Sequence, residues 1–129
     1  TACGGCDTIS DFTLLGNTVI DAAKGADVIL FEGLVMSQAT NVHRRIVENT
    51  GAIIEALCLT TPIEECLEAV RARRAAAGNK KPLNEKNTRD AWGRGKRSAE
   101  LLNKTHPGKV EIIEVDREEA FNYVLRAIS

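Results

Sequence analysis

No apolar run in these 129 residues approaches the roughly 18 that a membrane-spanning helix needs, and no charged-then-apolar leader opens the chain. The expected setting is therefore cytoplasmic and reducing, with no membrane partner. Aromatic residues are scarce: one Trp, one Tyr and three Phe, with only Trp92 inside the most basic stretch. Stacking platforms for single-stranded nucleic acid are thus not evident. Four cysteines do not make a disulfide scaffold in a chain of this size. Cys58 in an apolar run and Cys66 on a helix face read as small core residues. Only Cys3 and Cys6 have C-x-x-C spacing, which at a helix start can depress a thiol pKa. Zinc would need two more ligands, and His43 and His106 have no partnered spacing. Also missing is any G-x-x-x-x-G-K-[ST] phosphate loop, and Gly93-Arg94-Gly95-Lys96 is no substitute because it follows no strand. There is no internal repeat.

What is present is the composition of one soluble globular domain, 43% hydrophobic and 27% charged. The net charge of −1 conceals an asymmetry. From Arg71 to Lys104 there are eleven basic residues against Glu85, Asp90 and Glu100, a net of +8, which leaves −9 on the remainder. An acidic body carrying one basic segment suggests a dedicated anion-handling element, although a solvated basic surface has the same composition.

The chain is organised around Ala26-Asp27-Val28-Ile29-Leu30-Phe31-Glu32-Gly33. Val28–Phe31 reads as a short strand buried on both faces, as in parallel sheets. Glu32 then stands at the carboxyl end of that strand, where ligands bind in open α/β sheets. It would equally arise as the first solvated residue after a core strand. Ahead of it, Asp7 is the expected cap of a helical stretch from Thr8 to Lys24, broken near Gly16-Asn17. After it, a helix over about 39–49 has Ala39, Val42 and Ile46 inward, with His43, Arg44 and Arg45 projecting elsewhere. Ala52–Thr60 is the next strand. Thr61 caps a helix with Pro62 in first position and Glu64 completing a capping box.

Ile63, Cys66, Leu67 and Val70 fall on one face of that helix, and Arg74 returns to it with Arg71 and Arg73 on either side. A stripe that ends in arginine is expected where a helix runs off the core into an anion site; snorkelling to solvent is the alternative. Residues 78–87 read as a loop and 89–103 as a helix capped at Asn87, weakened by Gly93 and Gly95. Val110–Val115 is a third strand. Asp116 and Glu119 box the last helix, whose Phe121, Val124, Leu125 and Ile128 face inward. Strands alternating with helices give an α/β fold with a parallel sheet and flanking helices.

In this order the features resemble the latter two-thirds of a P-loop kinase of the nucleoside and nucleotide kinase group. Strand-Glu32-Gly33 resembles that group's Walker-B-like strand, whose carboxylate helps position magnesium or the attacking hydroxyl. Thr60-Thr61-Pro62-Ile63-Glu64-Glu65-Cys66-Leu67, followed by Arg71 and Arg74, resembles the strand and helix leading into the lid, with the basic lid itself spanning about 71–97. Asp116-Arg117 corresponds to the region bordering the nucleotide base. Cys3-Gly4-Gly5-Cys6-Asp7 looks like the acceptor-facing loop of small kinase-like proteins encoded by phages. The resemblance implies ATP and magnesium as cofactors, and Glu32 (also the metal ligand) and Arg74 as catalytic. It places Arg71, Lys80, Lys81 and Asp116 on the nucleotide and Asp7, Arg44 and Arg45 on the acceptor. It also implies a single domain, 1–129, that is partial at its N-terminal side, with at least one βαβ unit of about 30 residues lying upstream.

Phosphoryl transfer needs placed cations and a carboxylate more than covalent help. Arginines on a mobile lid supply always-charged bidentate donors that close over a triphosphate. The expected activity is an ATP-dependent phosphotransferase acting on a nucleoside, a nucleotide, a polynucleotide end or a modified base in phage DNA. A non-enzymatic nucleic-acid binder using residues 71–104 is the alternative. Without its phosphate loop the isolated chain is expected to be inactive and to give no measurable heat of binding when titrated with magnesium-ATP. Tight, magnesium-dependent binding in that titration overturns the expectation.

Overall fold

The computed structural model describes residues 11–33 and 38–129. The Cys3–Asp7 loop, including Asp7 as predicted cap and acceptor-side residue, lies outside them. The described elements run α1 (Phe12–Ala22), α2 (Thr40–Thr50), β1 (Ile54–Leu59), α3 (Ile63–Ala76), α4 (Glu85–Ala91), α5 (Arg94–Thr105), β2 (Val110–Val115) and α6 (Arg117–Ala127). β1 and β2 pair in parallel with Ile54 opposite Val110 and Leu59 opposite Val115, and helices flank this two-stranded sheet. The α/β class is as the sequence indicates.

The buried side chains form two apolar clusters. Leu15 and Val19 of α1 meet Val42 and Ile46 of α2, with Ile29, Phe31 and Ile54 packed alongside. Val47 of α2 meets Ala99 and Leu102 of α5 and Val110 of β2, with Ile54, Ala56 and Ile112 alongside. Adjacent residues of α2 thus serve different clusters, which positions α1 and α5 on either side of it. Asp11 caps α1 by accepting from the Leu14 amide at 3.0 Å. That helix runs unbroken through Gly16-Asn17, contrary to the predicted break. A β-carbon at Gly16 would meet an Arg45 guanidinium nitrogen at 2.7 Å, so the glycine is where α2 approaches closely. Gly51, at φ 66°, ends α2 by donating to the Val47 carbonyl.

Other expectations are corrected by the structure. Val28–Phe31 is not a strand buried on both faces. Ile29 and Phe31 pack inward while Val28 is 47% and Leu30 66% exposed, the period-two alternation of an extended segment covered on one side. No described strand lies beside it to bury the other face. His43 does not project away from α2's stripe; it is buried and stacked on Phe31, ring centroids 5.9 Å apart. The predicted 89–103 helix is two helices, because Gly93 takes φ 83° between α4 and α5, and the cap is Asn84 rather than Asn87. α3 starts one residue later than expected, with Pro62 as cap and no side-chain cap bond from Thr61. The Thr61 carbonyl instead accepts from the Trp92 indole N–H at 3.1 Å.

The stripe on α3 is as read: Leu67 is fully buried, Ile63, Cys66, Val70 and Arg74 are half-buried, and Arg71 and Arg73 are exposed. The capping box of Asp116 and Glu119 forms as predicted, with bonds of 2.8 and 2.9 Å. The apolar stripe of α6 is not inward, however. Phe121 is 65%, Leu125 43% and Ile128 60% exposed, since no described element covers that side.

Leu67→Ala is expected to lower unfolding free energy by about 2–5 kcal/mol, the range for emptying a packed leucine site. Phe121→Ala should cost no more than about 0.5 kcal/mol, as for an ordinary surface change. Urea denaturation of both variants, read at constant slope, checks the contrast.

Candidate active site

The segment 26–33, β1, the first turns of α5 and the inner side of α6 enclose a cavity of about 1340 Å³. α2 sets its geometry at one end. Thr40 and Ser98 share a hydrogen bond of 2.8 Å between their hydroxyls, tying the start of α2 to α5. One turn along α2, His43 stacks on Phe31 and so fixes the residue before Glu32. Glu32 lines the cavity, is exposed, and makes no ion pair among the described residues.

The cations that line this cavity are Lys96 and Arg97, on the first turn of α5 behind Gly93. Lys96 forms an ion pair with Glu114 of β2, and that hydrogen bond pushes the lysine above its ordinary pKa. Beside it, burial pushes the Cys58 thiol up; Lys96 opposes the shift while Glu114 and Glu100 add to it. Toward α6, the Tyr123 hydroxyl donates to the Glu55 carboxylate, which together with burial and the charges of Glu55 and Glu111 raises the phenol. Sequence reading counted Lys96 and Arg97 only within the basic segment. The usable signal was Gly93: a glycine just before a basic helical turn marks a chain reversal that can aim the turn elsewhere than along α4.

The predicted lid cations lie elsewhere. Arg71 pairs with Glu85, and Arg89 bridges Glu64 at 3.0 Å and Glu85 at 3.7 Å, so α3 and α4 are clasped by a charge network. Arg74 donates to the carbonyls of Lys81 at 2.8 Å and Pro82 at 3.4 Å, holding the loop between them. Lys80 and Lys81 are exposed on that loop. None of these four residues lines the cavity with Glu32. Asp116 caps α6. Arg44 donates to Asn41 at 3.0 Å, and Arg45 donates to Asn17 of α1.

Among the described residues no three His, Cys, Asp or Glu side chains are grouped as a metal cage. Magnesium bound with a nucleotide needs only one or two carboxylates besides phosphates and water, so Glu32, unpaired among the described residues, fits that donor set. No described helix is long and apolar enough to cross a membrane.

The chain is 33% identical over 126 residues to a protein of Pseudomonas phage PaMx11 named 5-hmdU DNA kinase. The match covers 96% of this chain, which spans 64% of the length of that relative. No family model matches the chain. No solved structure matches it. The similarity supports a kinase-like relationship and agrees with the resemblance to phage proteins read from the sequence.

A thiol raised by burial favours its protonated form in the folded state. Its stabilising contribution is full below the ordinary thiol pKa and declines as pH rises through the raised value. With Cys3, Cys6 and Cys66 replaced by serine, alkylation of Cys58 should reach half its maximal rate at higher pH in the folded protein than in urea. Lys96→Met should move that midpoint higher still. Equal midpoints in folded and unfolded chains would show that Cys58 is not desolvated.

Proposed function

We propose that this chain is part of an ATP-dependent phosphotransferase of P-loop kinase-like fold that phosphorylates a hydroxyl on a modified base in DNA. The base named for the phage relative, 5-hmdU, is the first acceptor to try. The supporting observation is the similarity to that relative along nearly the whole of this chain, joined to a cavity lined by the Glu32 carboxylate and by two cations, Lys96 and Arg97. In this reading the phosphate loop comes from polypeptide beyond these residues.

Glu32 receives the proton of the acceptor hydroxyl, or orients that hydroxyl, as its oxygen bonds to the γ-phosphorus and the bond to the ADP oxygen breaks. Glu32 would hold magnesium together with phosphates and water, and the metal would supply charge neutralisation at the transferred group. Arg97 and Lys96 set positive charge on the same cavity without reorganisation during the step. The hairpin of α3 and α4 acts as the lid. Its Arg71–Glu85 pair is nearly half-exposed on both sides, and such pairs are worth only about 0–1 kcal/mol, so a triphosphate can displace Glu85. Arg74, Lys80 and Lys81 follow as phosphate contacts when the lid swings in. Asp116, at the exit of β2, borders the base, and Arg44 and Arg45 lie on the acceptor side.

A nucleic-acid acceptor is favoured by six cations of the basic segment that are exposed and unpaired among the described residues: Arg73, Lys80, Lys81, Arg94, Arg97 and Lys104. They suit contacts to a phosphate backbone, which fix register without reading sequence.

Labelled ATP and duplex DNA containing 5-hmdU, with thymidine DNA as control, test the proposal in the full-length protein. Glu32→Gln is expected to lower turnover by about 10²–10⁴-fold, the usual worth of a placed acid–base group, with folding intact by circular dichroism. Unchanged turnover would reduce Glu32 to a solvated chain position.

A further inference from the structure

Three hydrogen bonds join α2 and the glycine that ends it to α5 and the turn that follows, and each spans 58 residues of sequence. Thr40 meets Ser98 at 2.8 Å, Glu48 meets His106 at 3.3 Å, and Lys109 donates to the Gly51 carbonyl at 3.4 Å. A constant separation means that the two helices run parallel and advance together. Val47 packs on Ala99 and Leu102 between the ties. From Thr40 to Glu48 this rigid platform is about 12 Å long, at 1.5 Å per residue.

The outer side of that seam is basic. Arg44 is four residues from both Thr40 and Glu48, so it shares the row of α2 that faces α5. On α5, Arg94 precedes Ser98 by four residues and Leu101 follows it by three, which puts both on the row that faces α2. Arg97 and Lys104 lie farther round the same helix, and all four of these α5 side chains are exposed. Arg94, Arg97 and Lys104 make no ion pair among the described residues, and Arg44 donates to Asn41. The nearby carboxylates are engaged elsewhere. Glu48 meets His106, Asp90 meets Lys86, and Glu100 lines the cavity beside Lys96.

We infer that a DNA strand lies along the outer surface of the α2–α5 seam, held by Arg44, Arg94, Arg97 and Lys104. This rests on the reading that the phosphate acceptor is a base in DNA. From Arg94 to Lys104 the helix rises about 15 Å, room for about four phosphates of one strand at 3.4 Å per nucleotide. Neither helix carries a Phe, Tyr or Trp, so bases have nothing to stack on and the surface responds to charge rather than sequence. Leu101, 49% exposed among the cations, suits the apolar face of a sugar. Arg97 also lines the cavity of Glu32, so a strand on the seam passes the mouth of the candidate active site. The basic segment is thereby divided: Lys80 and Lys81 on their loop serve the triphosphate, and α5 serves the polynucleotide.

Fluorescence anisotropy of a labelled, unmodified DNA duplex tests it, with full-length protein titrated at several salt concentrations and no ATP. Arg94→Gln combined with Lys104→Gln should weaken binding at least tenfold at low salt. The slope of log affinity against log salt should become shallower by about 1.8, since each lost phosphate contact removes about 0.9. Leu101→Glu, at a side chain already exposed, should weaken binding by setting a carboxylate among the cations. Lys24→Gln removes one charge just beyond α1, and its affinity should stay within twofold of the unaltered protein. Circular dichroism checks that each variant is folded.

Three results overturn the inference. One is no salt-dependent binding of the duplex by the unaltered protein, and another is equal binding by the double variant. The third is Lys24→Gln weakening binding as much as Lys104→Gln alone, which would assign the effect to net charge. The kinase reading fails separately. Duplex binding that needs Arg94 and Lys104, without phosphate transfer to 5-hmdU DNA, removes that reading and keeps the surface; transfer indifferent to both residues does the reverse.

Discussion

The structure depends on α2 serving two apolar clusters at once. Ile46 and Val42 close the cluster with α1, and Val47, the next residue after Ile46, closes the one with α5 and β2. Ile54, the first residue of β1, touches both. Buried apolar contacts of this kind hold most of a small domain's stability, and here they also fix direction. Once α2 is seated, the Thr40–Ser98 bond orients α5 and the His43–Phe31 stack orients the segment that carries Glu32. The candidate site is thus positioned from its buried side, by a helix that does not itself supply the carboxylate.

What could be read from the sequence follows how local the determining physics is. The Asp116–Glu119 box, the stripe from Ile63 to Arg74 and the β2 run all rest on signals within a few residues, and all are found. The failures are of another kind. Whether Val28–Phe31 is covered on one side or two depends on a neighbour remote in sequence, and so does the exposure of Phe121 and Leu125. Gly16 looked like a helix break because its role, close approach to Arg45, is a contact between helices. Placing Lys96 and Arg97 on the cavity of Glu32, while Arg71 and Arg74 go elsewhere, is likewise a matter of tertiary direction and not of spacing.

Charge in the basic segment is less available than composition suggests. Arg71, Lys86, Arg89 and Lys96 are engaged with Glu85, Asp90, Glu64 and Glu114. Lys86 holds the Asp90 carboxyl below its usual range through their hydrogen bond. All these pairs are partly or largely solvated, so they shape the hairpin more than they stabilise it. An element held by weak, exchangeable pairs can trade them for a stronger polyanion, which is the physical requirement on any phosphate-closing lid.

The chain's one tryptophan stands at the joint between α4 and α5, its indole bonded to the carbonyl of Thr61 where β1 hands over to α3. Trp92 is about half exposed, and in the proposed lid movement its surroundings would change with the hairpin. Were the hairpin to move as proposed, emission colour and quenching by iodide would follow it with no dye attached.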